Sequence, residues 1–285
     1  MSASVKLDEL ESWFGECAFA IVAFSGGVDS SLIAHLAKRF LGGAGCLAVI
    51  SDSPSLKRSE LRSASAFCQR HDIPFEIIHT DELNDPRYAS NPGNRCFYCK
   101  QTLYRELQAV AARYPGSWLM NGTNLDDLGD YRPGLEAATQ FEIRSPLAEC
   151  GLTKSCVRRI ALELQLECWD KPASPCLSSR IAYGQPVTAT KLRQIELAEE
   201  LVTQRGFRIA RVRHLGLEAR LEVPKEDIRR LMDMLPELQP SLLALGFERL
   251  TVDTEGFVSG KLNRLLENSP TVFQLSQPTS PKVVP

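Results

Sequence analysis

Along the first half of the chain, short apolar runs alternate with stretches whose apolar residues recur three and four apart. Residues 17–24 read as a buried strand, and 30–40 as a helix with Leu32, Ile33, Leu36 and Ala37 on one face. Residues 46–50 predict a second strand, 59–71 a second helix with Ser59 suited to its N-cap, and 75–79 a third strand. A helix over 99–113, a strand over 118–121 and a helix over 153–164 continue the series. Strands alternating with helices build βαβ units, hence an α/β fold with an open parallel sheet and helices on both faces. Ligands of such sheets sit at the carboxyl ends of the strands.

The pattern then breaks. Lys171-Pro172-Ala173-Ser174-Pro175-Cys176-Leu177-Ser178-Ser179-Arg180 has two prolines and several small residues, so it reads as a non-helical connector. Beyond it, a helix over 191–205, strands over 208–214 and 220–223, a helix over 225–235 and a strand over 247–252 predict a small α+β domain. The expected organisation is a nucleotide-handling domain over 1–170, a connector over 171–186 carrying Cys176, a small substrate or oligomerisation domain over 187–265, and a flexible tail over 266–285. The tail is Pro-, Ser- and Thr-rich.

Composition narrows the function classes. The 285 residues include 33 Lys+Arg and 35 Asp+Glu, for a formal charge of −2. That balance argues against a protein that coats nucleic acid through bulk charge, so no nucleic-acid partner is expected. No apolar run is long enough to span a membrane, and the first residues lack the basic-then-apolar pattern of a secretory signal. A cytoplasmic location is therefore expected. In that compartment the nine cysteines are not expected to form structural disulfides.

Four strings carry candidate chemistry. Ser25-Gly26-Gly27-Val28-Asp29-Ser30-Ser31 follows a strand and opens a helix. Adjacent glycines let backbone N–H groups approach an anion, and the helix N-terminus adds partial positive charge. Ser25, Ser30 and Ser31 can donate to phosphate oxygens, and Asp29 can hold a Mg²⁺ on pyrophosphate. In Asn94-Arg95-Cys96-Phe97-Tyr98-Cys99-Lys100, the thiols of Cys96 and Cys99 are close enough to share a metal, with Cys176 as a third. Three readings compete: a redox disulfide, a structural zinc with a fourth ligand, and an iron–sulfur cubane with one iron lacking a protein ligand. Cys17, Cys46, Cys68, Cys150, Cys156 and Cys168 read as core or helix-face residues. Residues 121–135, beginning Asn121-Gly122-Thr123-Asn124, read as a binding loop at a strand's carboxyl end. In Arg211-Val212-Arg213, alternation sends both guanidiniums to one strand face, suited to phosphate or carboxylates; the plain alternative is a solvated face. Glu200 and Glu222 are candidates for a secondary metal, set against a reading as exposed surface carboxylates.

The string 25–31 resembles the PP-loop of ATP pyrophosphatases, a Rossmann-like fold in which adenosine lies across the strand ends beside the position of Ser51. Together with 51–55, 94–100, 121–135, 172–180 and 211–213, it resembles the LarE family of ATP-dependent sulfur transferases in nickel-pincer cofactor assembly. The resemblance implies adenylation of a carboxylate of a pyridinium-3,5-dicarboxylate mononucleotide, release of pyrophosphate, and conversion to a thiocarboxylate. It implies ATP and Mg²⁺ as cofactors, with the loop residues, Ser51 and Gly122 around the nucleotide and Arg211 and Arg213 on the substrate phosphate. The presence of Cys96 and Cys99 beside Cys176 matches the branch that holds a [4Fe-4S] cluster on three cysteines. The other branch spends the Cys176 sulfur in one turnover and leaves dehydroalanine. Homo-oligomerisation and other proteins of nickel-pincer assembly as partners are implied as well. Rival readings are a tRNA thiolation enzyme, a carboxylate amidating ligase and a non-catalytic AMP-binding or metal-sensing module.

Overall fold

In the computed structural model, which describes residues 3–129 and 133–258, strands β1 (Ala20–Ala23), β2 (Cys46–Asp52), β3 (Phe75–His79) and β4 (Trp118–Met120) form a parallel sheet. Its order is β3-β2-β1-β4, with Ala20 opposite both Cys46 and Trp118 and Ala48 opposite Phe75. Alternation along the central strands sorts side chains between two cores. Ala20, Val22, Cys46, Ala48 and Ile50 face one layer, and Ile21, Leu47 and Val49 face the other.

The first layer contains α1 (Ala3–Phe14), α2 (Val28–Leu41), α3 (Arg58–Arg70) and, later in the chain, α8 (Lys154–Glu163). Leu10 and Phe14 of α1 pack with Leu32, Ile33 and Leu36 of α2 and Val157 and Ile160 of α8. Each such fully buried side chain contributes about 1.5–3 kcal/mol. Helix α1 lies ahead of the first element the pattern predicts; Leu10 and Phe14, four apart, carry its buried face. The second layer holds α5 (Arg95–Ala111) and α6 (Pro133–Gln140), with Tyr104, Leu107, Val110 and Ala137 against the sheet. Short helices α4 (Pro86–Ala89) and α7 (Pro146–Glu149) complete this half.

Several boundaries differ from expectation for identifiable reasons. Helix α3 starts at Arg58 with Lys57 in the cap position, not Ser59, and no side chain of its own caps it. Its free Arg58 N–H instead donates to Glu196 Oε1 at 2.5 Å, a carboxylate supplied from across the connector. Helix α5 begins at Arg95 rather than 99, so Cys96 and Cys99 share one turn and one face. The first strand of the second half begins later than residue 208, at Arg211.

After the connector, α9 (Ala189–Thr203), β5 (Arg211–Leu215), β6 (Glu218–Glu222), α10 (Ile228–Leu243) and β7 (Arg249–Val252) build a three-stranded sheet covered by helices. Strands β5 and β6 are antiparallel, joined through Gly216 at φ +74, and β7 runs parallel to β6. Helix α10 continues past residue 235 through Pro236 and Pro240, because Leu231, Leu238 and Leu242 keep one face buried. A separate apolar cluster of Tyr88, Leu177, Ile181, Val187, Leu192 and Ile195 joins the connector to both halves. Among the described residues, no helix is long and apolar enough to cross a membrane. Asp130, Tyr131 and Arg132 of the 121–135 loop, and the expected tail, lie outside the described residues.

Candidate functional site

The loop between β1 and α2 is built for close approach. Gly26 sits at φ +70, and a Cβ there would stand 3.1 Å from Cβ of Ala64 on α3. Gly27 occupies the N-cap position of α2 with no side-chain cap, so the first N–H groups of the helix stay available. Ser25 and Ser30 lock the turn: their hydroxyls lie 3.1 Å apart, and Ser25 N–H donates to Ser30 Oγ at 3.2 Å. Gly122, just after β4, presses on the same turn. A Cβ on it would meet Ser30 N at 2.7 Å and Asp29 Cβ at 3.0 Å.

A cavity of about 780 Å³ opens at the carboxyl ends of β1 and β2. Ser25, Gly27, Asp29 and Ser51 line it, as do Cys96, Cys99, Lys100 and Cys176. A smaller recess of about 310 Å³ shares Ser25, Asp29 and Lys100 with it and adds Ser30 and Gly122. The Asp29 carboxylate accepts from Asn124 Nδ2 at 3.2 Å and from Lys154 Nζ. Ser51 and Thr80 share a hydrogen bond of 2.7 Å at the neighbouring strand ends. Lys171 Nζ donates to the carbonyl of Gly26 at 2.9 Å and to Glu60 at 2.6 Å. Burial works to raise the Glu60 carboxyl, but Lys171, with Ser174 and Lys57, outweighs it and holds Glu60 below its ordinary value.

The three cysteines arrive from two elements. Cys96 and Cys99 come from the first turn of α5; Cys176 comes from the connector. The connector is seated at the end of β2: Leu177 N–H donates to Ser55 O at 2.8 Å. The hydroxyls of Ser55, Tyr88 and Ser178 close a buried triangle at 2.5–2.7 Å. Burial first, and then the Cys176 charge, raises the Cys96 thiol; burial, then Glu82 and Cys176, raises Cys99. The three thiols thus surround one space and feel one another. Among the described residues, no three His, Cys, Asp or Glu side chains stand arranged to hold a metal ion.

Arg211 and Arg213 do share a strand face, but that face is buried, not solvated: they are 7% and 8% exposed. Arg213 Nη2 donates to Glu222 at 2.7 Å. Glu222 is therefore a buried ion-pair partner and neither a surface carboxylate nor a free metal ligand; Glu200 is exposed. Arg180 pairs with the fully buried Glu199, which also takes Lys57 and the Val212 N–H. Burial works to raise Glu199, and Arg180 and Lys57 overcome it and hold the carboxyl low. Arg211 has no carboxylate within ion-pair distance among the described residues. Burial, then the charges of Arg180 and Arg213, push its guanidinium down to about 10, against opposing pulls from Glu199 and Glu60.

The structure thus gathers Ser25, Gly27, Asp29, Ser51, Cys96, Cys99 and Cys176 around one cavity, with Ser30 and Gly122 on the adjoining recess. Gly26 supports the turn from behind. Ser31 lines neither space: it is fully buried and its N–H returns to Gly27 O. Arg211 and Arg213 lie behind the connector, Arg211 touching Ala173 of the cavity wall. Lys100, Lys154 and Lys171 line the cavity and were not expected there. Lys100, one helical turn beyond Cys96, was readable from spacing once α5 began at Arg95; Lys154 had no local signal.

A glycine-bearing turn between a parallel strand and a helix, with an adjacent cavity at the strand ends, is the arrangement of a PP-loop ATP-using enzyme, and the chain's similarity to known proteins places it in that class. The NAD synthase family profile matches residues 9–90. An uncharacterised protein of Synechocystis is 43% identical over 92% of this chain and 98% of its own. An uncharacterised protein of Methanocaldococcus jannaschii is 26% identical over 82% of this chain and 89% of its own. The pyridinium-3,5-bisthiocarboxylic acid mononucleotide synthase of Lactiplantibacillus plantarum is 34% identical over 86% of this chain and 89% of its own. The chain belongs to that synthase's family, the LarE family of ATP-dependent sulfur transferases.

Proposed function

We propose that the chain adenylates a carboxylate of pyridinium-3,5-dicarboxylate mononucleotide and converts it to a thiocarboxylate, with sulfur supplied at the three-cysteine wall. A carboxylate is a poor acyl donor because its leaving group would be oxide. In the adenylation step, a carboxylate oxygen bonds to the α-phosphorus of ATP, the bond to the bridging oxygen breaks, and pyrophosphate leaves. AMP then becomes the leaving group when a sulfur nucleophile attacks the acyl carbon. The N–H groups at Gly27 and the start of α2, with Ser25 and Ser30, would cradle the phosphates. Asp29 would hold Mg²⁺, which supplies neutralising charge to the departing pyrophosphate. Arg211 and Arg213 would take the substrate's phosphate. Cytoplasmic location, homo-oligomerisation and work beside other nickel-pincer proteins belong to the same reading.

The observation that carries this reading is that Cys96, Cys99 and Cys176 line the same cavity as Ser25 and Asp29. Activated acyl group and sulfur would then meet without transfer between sites. A cubane cluster spans several irons, so its thiolates need not converge on one point; Cys96, Cys99 and Cys176, on one cavity wall, would hold a [4Fe-4S] cluster, which would supply an exchangeable sulfur. A second reading starts from the separate position of Cys176, which stands on the connector while Cys96 and Cys99 share a helix. In it Cys176 alone gives up its sulfur and becomes dehydroalanine. Anaerobic purification with iron and sulfide quantification, and intact mass before and after turnover, separates the two. Stoichiometric iron and sulfide with unchanged mass supports the cluster. No iron, with a loss of about 34 Da per chain, means Cys176 is spent. No pyrophosphate release with the dicarboxylate mononucleotide overturns both.

A further inference from the structure

Cys176 closes a stretch, residues 171–176, that is in neither helix nor strand, and it caps a single 3-10 turn over Leu177–Arg180. The two prolines of this strap have no N–H to give, and its carbonyls are taken up by guanidinium groups instead. Arg158 of α8 donates to Trp169 O at 2.6 Å and to Lys171 O at 2.8 Å. Arg211 of β5 donates to Ala173 O at 2.8 Å. Arg180 reaches Pro175 O at 2.7 Å and Cys176 O at 3.0 Å. Arg95 of α5 holds Ser178 O at 3.0 Å, and Arg213 holds Ser179 O at 2.9 Å. The strap is thus pinned from both halves of the molecule.

One of these pins differs in charge balance. Arg180 and Arg213 each have a buried carboxylate, Glu199 and Glu222. Arg211 has none among the described residues, although it is nearly buried and flanked by two other guanidiniums. Its other hydrogen bond is to a neutral acceptor, Ala210 O at 3.0 Å. A guanidinium has five N–H donors, so these two bonds leave capacity for an anion. Beside it, Arg213 Nε is buried with no hydrogen-bond partner. This pair is short of negative charge and has donors to spare.

We infer that Arg211 is a positioning residue that passes occupancy of the phosphate position to the Cys176 strap. A phosphate dianion engaging Arg211 fixes the guanidinium, and with it the bond to Ala173 O, three residues before the cysteine. Binding energy from a remote, unreacting part of the substrate is thereby used to place sulfur at the reacting carbon. The inference rests on the reading that Arg211 and Arg213 take the substrate's phosphate.

Amide hydrogen exchange of the full chain tests it, following the amides of Ala173, Ser174 and Cys176. Nicotinic acid mononucleotide is the probe, and nicotinic acid riboside, which lacks phosphate, is its control. Calorimetry sets equal occupancy in every arm. Saturating mononucleotide is expected to slow exchange at the three amides roughly tenfold, the size of one charge-assisted hydrogen bond made persistent. The riboside is expected to leave exchange unchanged, and Arg211→Lys to bind the mononucleotide without slowing the strap. Binding with no slowing in the wild-type chain would overturn the coupling and leave the phosphate assignment standing. Equal slowing by the riboside, or in Arg211→Lys at equal occupancy, would also overturn it. Mononucleotide binding no tighter than riboside binding would overturn the phosphate assignment and the coupling together.

Discussion

Glu199 offers the sharpest test of how the two halves of the chain are joined. Its side chain is 1% exposed, and it serves Arg180, 0% exposed, and Lys57, 14% exposed. It also accepts the Val212 N–H at 3.1 Å. The carboxylate therefore ties the start of α3, the connector and β5 to one point. Replacing it with Gln removes the charge but not the volume. Two cations are then left beside a neutral amide, and the loss expected for one-sided removal of a buried ion-pair partner is about 3–5 kcal/mol. The retained amide oxygen still accepts one bond, so Glu199→Gln should fall near 3 kcal/mol. The pH dependence has a definite sign. Glu199 is held below its ordinary value, so its contribution is fully present above the unfolded carboxylate pKa of roughly 4.3. It is lost as pH falls through the lower folded value. Urea unfolding followed by fluorescence should therefore show a large gap between wild type and Glu199→Gln at pH 7, and the gap should close with increasing acidity below about pH 4. A loss under about 1 kcal/mol, or a gap independent of pH, would refute the assignment of Glu199 as a charged hub.

Other outcomes follow from the same geometry. Gly122→Ala places a methyl 2.7 Å from Ser30 N. It should cost about 1–3 kcal/mol in unfolding experiments and slow substrate-dependent pyrophosphate release by about 10- to 100-fold; a variant with wild-type stability and turnover would mean the turn yields freely. Lys171→Met removes the tie to Gly26 O and leaves Glu60 without its main cation. ATP affinity by calorimetry should fall about tenfold, as expected for losing charge-assisted contacts at the turn, and an unchanged affinity would count against that role. Cys96→Ser, Cys99→Ser and Cys176→Ser should each lose the visible absorbance of anaerobically reconstituted protein; retention in all three would sink the cluster reading.

The central sheet was legible because its signals are local. Small and branched apolar runs such as 46–50 cannot be solvated, and the glycine pair at 26–27 marks the turn that feeds α2. The cap of α3 was not legible: Arg58 N–H takes its acceptor, Glu196, from a helix some 138 residues away, so Ser59 only looked like the better candidate. Arg211 and Arg213 show both sides of the matter. Strand periodicity placed them on one face, but nothing in their spacing told whether water or Glu222 would lie against it. Lys154, paired with Asp29 across 125 residues, had no local signal at all.

The connector explains why this fold uses so many buried arginines. On the proposed reading Cys176 lies beside an activated acyl group, and Pro172 and Pro175 keep the backbone before it out of helix and sheet by removing N–H donors. Unpaired carbonyls near a protein interior are costly unless each finds a donor. Lysine can donate to them only as a flexible point charge, whereas a guanidinium presents a fixed fork that holds two carbonyls at once. Arg158 does so through Nη1 at Trp169 and Nη2 at Lys171, and Arg180 holds Pro175 and Cys176 with Nη1 while Nε and Nη2 stay on Glu199. Lysine replacements at these two positions should therefore keep the charge yet loosen the strap. Proteolytic nicking within 171–180 would measure this directly. A strap as protected in Arg158→Lys and Arg180→Lys as in the wild type would show that packing of Leu177 and Ile181, not the guanidinium fork, holds Cys176 in place.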